Sequence, residues 1–140
     1  MTPQEFFSAD RFATDAGIEI VEARAGYARA RLTVGAAHLN AGGRTQGGAL
    51  FTLADFAIAV AANMHGKLAF STGSHISFFR ASGPGEVLTA EARELYIHPR
   101  MGNYSCDITN ESGELVAQMT AQLYRKDTPV PLGPENAPRE

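Results

Sequence analysis

The sequence predicts an α+β domain in which a curved antiparallel sheet of about five or six strands wraps one long central helix. Three observations carry that expectation. Residues 49–64 read ALFTLADFAIAVAANM, a helix-favouring run with no Gly or Pro and with apolar side chains on nearly every face. Most other segments alternate apolar and polar residues between short links rich in Gly, Pro, Asn and Ser, a pattern that pairs successive strands antiparallel. Finally, a helix apolar on all sides needs more cover than one sheet face gives. The sheet must therefore curve around it, and a second subunit must finish the cover.

Taken in order, Thr2 is placed to cap a helix over about residues 3–14, with Pro3 at its first position, Glu5 reaching back and Gly17 ending it. Phe6, Phe7 and Phe12 form its apolar side, read as core packing, with a pocket lid as the alternative. Residues 18–25 and 27–34 make a hairpin about Gly26, and Arg29 and Arg31 fall on its polar, solvated face. Residues 35–44 are loop and deliver Asn40 to the start of the long helix. After the helix, residues 69–79 form a strand whose Ser71, Thr72, Ser74, His75 and Ser77 are unusually polar for a central strand. Hydroxyls facing a pocket would explain that excess, and His75 reads either as a pocket wall or as a satisfied core histidine. Ser82, Gly83, Pro84 and Gly85 turn the chain, and strands follow at 86–97, 103–109 and 114–125. Residues 127–140 hold four of the seven prolines and are read as a loose tail, leaving one domain over 1–126.

Composition narrows the function classes. A chain of 140 residues, 44% hydrophobic and 19% charged, suits a single globular domain. Its formal charge of −3 gives no reason to expect nucleic acid as a partner. Cys106 is the single cysteine, so no intrachain disulfide can form, and its place in a strand reads as a small buried hydrophobe. The apolar run is shorter than the roughly 20 residues that span a bilayer, and no basic-then-apolar leader opens the chain, so a cytoplasmic location without membrane attachment is expected. His38, His65, His75 and His98 show no ligand spacing, and no metal or cofactor is expected.

The chemistry concentrates at the long helix. Asp55 is a carboxylate inside an apolar run, and burying it ionised is costly unless a donor or a wet pocket compensates. Gln46, Gly47 and Gly48 open the helix, where the first-turn N–H groups lack intrahelical partners and the helix dipole favours negative charge. Gly47 and Gly48 let a ligand approach the backbone closely. An oxyanion site and a carboxylate base are the two parts that acyl transfer needs.

Asn40, the Gln46, Gly47, Gly48 run, Asp55, Asn63 and the Phe78, Phe79, Arg80 run together resemble the hotdog-fold acyl-CoA thioesterases of the phenylacetic-acid-degradation (PaaI-like) family, over roughly residues 15–125. The resemblance implies a hotdog fold, a homodimer joined sheet edge to sheet edge, often a tetramer, and a site shared between subunits. It implies acyl-CoA as substrate, with aryl or medium-chain acyl groups. By the same resemblance the Gly47 amide would hold the oxyanion, Asp55 would act as base or nucleophile, Ser71 or Thr72 would orient water, and Asn40 would brace the loop or its water. Arg80, Arg100 and Asn103 match places where relatives contact the nucleotide, and with Gly48, Phe79 and Gly102 they make up the expected substrate and CoA contacts. Many relatives carry His where this chain has Gln46, whose amide can donate a hydrogen bond but cannot titrate near neutral pH. Two other readings stand beside hydrolysis: a hotdog hydratase or dehydratase using His75, and a non-catalytic acyl-CoA binder in which Gln46 marks lost activity.

Overall fold

The structure, a computed structural model, describes residues 1–132. Two short helices, α1 (Pro3–Phe7) and α2 (Arg11–Asp15), precede β1 (Glu19–Arg24) and β2 (Tyr27–Thr33). A 3-10 turn at Ala36–His38 leads to the central helix α3 (Gly47–Asn63). Then come β3 (Lys67–Phe78), β4 (Val87–Ile97), β5 (Met101–Thr109) and β6 (Leu115–Pro129). One antiparallel six-stranded sheet results, in the order β1-β2-β4-β5-β6-β3. Helix α3 lies in its concave side and contacts all six strands, the hotdog arrangement.

Packing follows from strand alternation. Ala28, Ala30 and Leu32 of β2, Leu88, Ala90 and Ala92 of β4, and Cys106 and Ile108 of β5 face inward and are buried against Leu53, Ala57, Ile58 and Val60 of α3. Alanines at the strand positions let the helix approach the sheet closely. The opposite face of β2 is charged, and its arginines are ion-paired: Arg31 lies 2.9 Å from Glu19 and Arg29 lies 3.7 Å from Glu22. Asn63 closes the far end of α3. Its buried carboxamide donates to the carbonyls of Ala59 (2.9 Å) and Ala69 (3.1 Å) and accepts from the Ala69 N–H (3.0 Å), which pins the start of β3 to the helix.

Cover for α3 is incomplete. Gly48 and Phe51 are exposed and Thr52, Asp55 and Ala59 half-buried, a stripe at helical spacing that the sheet does not reach. β3 is likewise bare, pairing only with β6 among the described residues and exposed from 70 to 75.

Four expectations are corrected. The amino-terminal helix is not continuous over 3–14, because the Asp10 side chain accepts the Ala13 N–H and starts a second helix, while Thr2 caps the first. Phe7 is buried against Phe56, but Phe12 is 79% exposed and is not core. β3 is an edge strand of this sheet and not a central one. The domain also does not end at 126: β6 runs through Pro129, Val130 and Leu132 are buried, and the Val130 N–H donates to the Gly66 carbonyl. Residues 133–140, with the rest of the expected tail, lie outside the described residues.

Candidate active site

The start of α3 is held by its flanking loops. Thr45 and Ser82, both buried, are clipped together, with the Thr45 N–H donating to the Ser82 carbonyl (2.9 Å) and the Ser82 hydroxyl to Thr45 Oγ1 (2.7 Å). The Gln46 N–H donates to the His38 carbonyl (2.8 Å). His38 Nδ1 accepts the Gly35 N–H, which places the ring proton on Nε2, 2.6 Å from the Ala16 carbonyl oxygen. The Asn40 side-chain oxygen accepts the N–H groups of Gly42 (2.9 Å) and Arg44 (3.1 Å), so this residue braces its own turn.

At the helix start the two glycines do different things. Gln46 is the N-cap, and its side-chain oxygen accepts the Gly48 N–H. A Cβ on Gly48 would sit 2.5 Å from that oxygen, so Gly48 makes room for the cap. The Gly47 N–H has no acceptor among the described residues. Gly47 lines a cavity of about 470 Å³ together with Asn40, Arg44, Phe78, Phe79 and Arg80. A second cavity, about 500 Å³ and mainly apolar, borders the other side of the same turn at Gln46, Gly48 and Phe51.

Asp55 lies eight residues along the helix from Gly47, roughly 12 Å by helical rise. It is half-buried on the open stripe, with Ser71 Oγ 3.4 Å from Oδ1. Partial burial raises its pKa above the ordinary carboxylate value, the Ser71 hydrogen bond opposes that, and the charge of Asp10 adds to it. The Thr72 hydroxyl donates to the Gln122 carbonyl (3.1 Å) instead. The register shift between Ser71 and Gly73 separates these neighbours, and Ser71 pairs with inward-facing Leu123.

The remaining predicted contacts divide. Phe79 and Arg80 share the Gly47 cavity, with Arg80 ion-paired to Glu114. Arg100, Gly102 and Asn103 lie at the β4–β5 turn instead, and Arg100 is 3.5 Å from Asp127. Gly102 is buried, and a Cβ there would meet the Tyr104 ring at 2.9 Å, so packing accounts for it. Asn103 and His75 line a shallow groove on the outer sheet face, away from Asp55, where His75 bonds Ser77 (3.2 Å). Within one chain His75 is thus neither core nor opposed to Asp55 across a pocket. Sequence reading missed the Thr45–Ser82 clip and the approach of Asp10 to Asp55. The second had a signal, since an Asp three residues before Ala13 is an N-cap pattern.

Among the described residues no group of three or more His, Cys, Asp or Glu is arranged to hold a metal ion, and no helix is long and apolar enough to cross a membrane. Residues 42–117 match the family model described as the thioesterase superfamily. A putative esterase of Archaeoglobus fulgidus is 37% identical over 112 residues, 80% of this chain and 73% of that protein. The acyl-coenzyme A thioesterase PaaI of Escherichia coli is 34% identical over 119 residues, 85% of each chain. The solved structure of the E. coli PaaI protein superposes with a TM-score of 0.86 at 32% identity, covering 89% of this chain and 91% of that one. The family match, the relatives and the shared hotdog fold agree: this chain belongs to the thioesterase superfamily and is a thioester hydrolase of the PaaI-like group.

Proposed function

We propose that this hydrolase cleaves acyl-CoA thioesters with aryl or medium-chain acyl groups, at a site built by two copies of the chain. The observation that carries the reading is the unpaired Gly47 N–H at the start of α3, beside a cavity with two arginines, while a half-buried carboxylate waits on the same helix. The roughly 12 Å between them is too far for one chain to present both groups to one carbonyl. Pairing through the bare β3 edge would cover the open α3 stripe and bring the partner's Asp55 to Gly47. The A. fulgidus and E. coli relatives support the chemistry by name, and the latter supports the CoA portion.

In this scheme the Gly47 amide, aided by the helix dipole, polarises the thioester carbonyl and receives the developing oxyanion. The partner's Asp55 takes a proton from a water held with Ser71, or attacks the carbonyl carbon itself. In either route water supplies a new C–O bond, the C–S bond breaks, and CoA leaves with a proton on sulfur beside a free acid. Arg80, Phe79 and Asn40 would hold the thiol end of the substrate in the Gly47 cavity. Arg100 and Asn103 would meet the nucleotide, and the amide of Gln46 would keep the helix start in place without titrating.

The test is release of free thiol from a panel of acyl-CoAs. Turnover is expected to be best with aryl and medium-chain substrates; tight binding without thiol release would overturn the reading. The acid limb of kcat/KM tests Asp55 separately. A base must be ionised, and its pKa is raised, so activity falls at a higher pH than an ordinary Asp would set. Asp10→Asn keeps the α2 cap, removes a charge that raises this pKa and should move the limb to lower pH. Ser71→Ala removes the bond that lowers it and should move the limb to higher pH, besides slowing turnover. Shifts of the same sign would contradict the assignment.

A further inference from the structure

The helix start has unlike surroundings on its two sides. On the Gly47 side the cavity carries Arg44 and Arg80. On the Gln46 and Gly48 side it is lined by no Asp, Glu, Lys or Arg, and the His38 ring there is held between the Gly35 N–H and the Ala16 carbonyl. That second cavity is walled by Ile18, Leu32, Leu39 and Phe51, with Phe12 of α2 at its rim. Its volume, about 500 Å³, is in the range of small-molecule sites.

A thioester drawn up to a backbone donor at this turn has two unlike arms. The CoA arm is polar and anionic, so it belongs on the side with the arginines. The acyl arm is apolar and gains by leaving water for an apolar cavity. Core packing does not account for the place of Phe12 in the fold. Phe7, in the preceding helix, is only 7% exposed, whereas Phe12 is 79% exposed yet borders the cavity. The segment carrying it is fixed at both ends, by the Asp10 cap and by the His38 bond to the Ala16 carbonyl, so its backbone is held beside the rim.

We infer that the apolar cavity between α2 and the first turns of α3 receives the acyl group of the thioester, and that Phe12 is a specificity-determining residue limiting acyl length. This rests on the acyl-CoA reading above. One methylene in an apolar pocket is worth roughly 10- to 200-fold in discrimination, so an altered wall should be visible in kcat/KM across chain lengths.

The experiment measures kcat/KM for straight-chain acyl-CoAs from acetyl to dodecanoyl in the wild type and three variants. Phe12→Ala opens the rim and should raise the long-to-short ratio about tenfold. Ala49→Leu adds bulk to the cavity wall, keeps a good helix former, and should lower the same ratio about tenfold. Phe79→Ala alters the other cavity and should change KM for all chain lengths alike, leaving the ratio in place. Superimposable chain-length profiles for wild type, Phe12→Ala and Ala49→Leu would overturn the inference while thioester cleavage itself stood. A wild type that cleaved none of the panel would overturn the acyl-CoA reading, and the inference with it.

Discussion

Asp55→Asn is expected to lose about 100- to 10,000-fold in turnover while the folded protein becomes no less stable, and slightly more so at neutral pH. The activity side follows from the role proposed for the carboxylate: the amide has nearly its shape but neither takes a proton nor attacks a carbonyl. The stability side follows from its surroundings. Burial and Asp10 raise the folded-state pKa, so the ionised form is held at a cost. A group with a raised folded pKa contributes stability below its unfolded pKa and loses it as pH rises through the folded value. At neutral pH that contribution is gone, and Asn carries no such charge. The variant should therefore melt at the wild-type temperature or up to about 4 °C higher, and the gap should close as pH falls into the ordinary Asp range. Undiminished turnover would remove Asp55 from the mechanism, and a marked fall in melting temperature would make it a structural residue.

Gly47→Pro should cost about 100- to 1,000-fold in kcat, with Gly47→Ala retaining most of it. The pair works because residue 47 is the first residue of α3, where Pro is well tolerated and where its missing N–H breaks no intrahelical bond. Gln46 before it has φ −69° and ψ 137°, a conformation that a following Pro accepts. Both variants place a Cβ about 3.1 Å from the Phe78 ring, which is half exposed and can give, so their difference isolates the amide. Equal activities would show that this N–H does not hold the oxyanion. Mixing inactive Gly47→Pro and Asp55→Asn chains adds a test of the shared site. In random dimers half the molecules are mixed, each with one intact site, and roughly a quarter of wild-type activity should return. A site contained in one chain would return none.

The sequence was most legible where one feature dominated. The uninterrupted apolar run gave α3 to within two residues at either end, because no local alternative competes with it. Strand positions followed from alternation, with ends off by a few residues. The amino terminus was misread because the Asp10 carboxylate draws the chain into a second start, a choice helix propensity does not register. Proline content places the end of the domain too early, because Pro ordinarily breaks a strand, yet Pro129 sits at the end of β6, where it completes the pairing with Lys67. Strand order is not written in any one segment, so β3 was taken as central. The choice between Ser71 and Thr72 depended on a register shift in that strand, for which Gly73 was the only local hint. The helix start and the carboxylate on it could be located because Gly47, Gly48 and Asp55 lie close in sequence; the apolar cavity could not, since its walls come from four separate stretches of the chain.

Cys106, fully buried on β5, has its thiol pushed to higher pKa by burial first and by Asp107 and Glu91 next. Reagents such as Ellman's act on accessible thiolates, so the native enzyme should add no background colour to an assay that counts liberated CoA. Unfolding reverses this and presents one sulfhydryl per chain. The same reagent, without substrate, thus serves as a stoichiometric clock for the opening of the sheet.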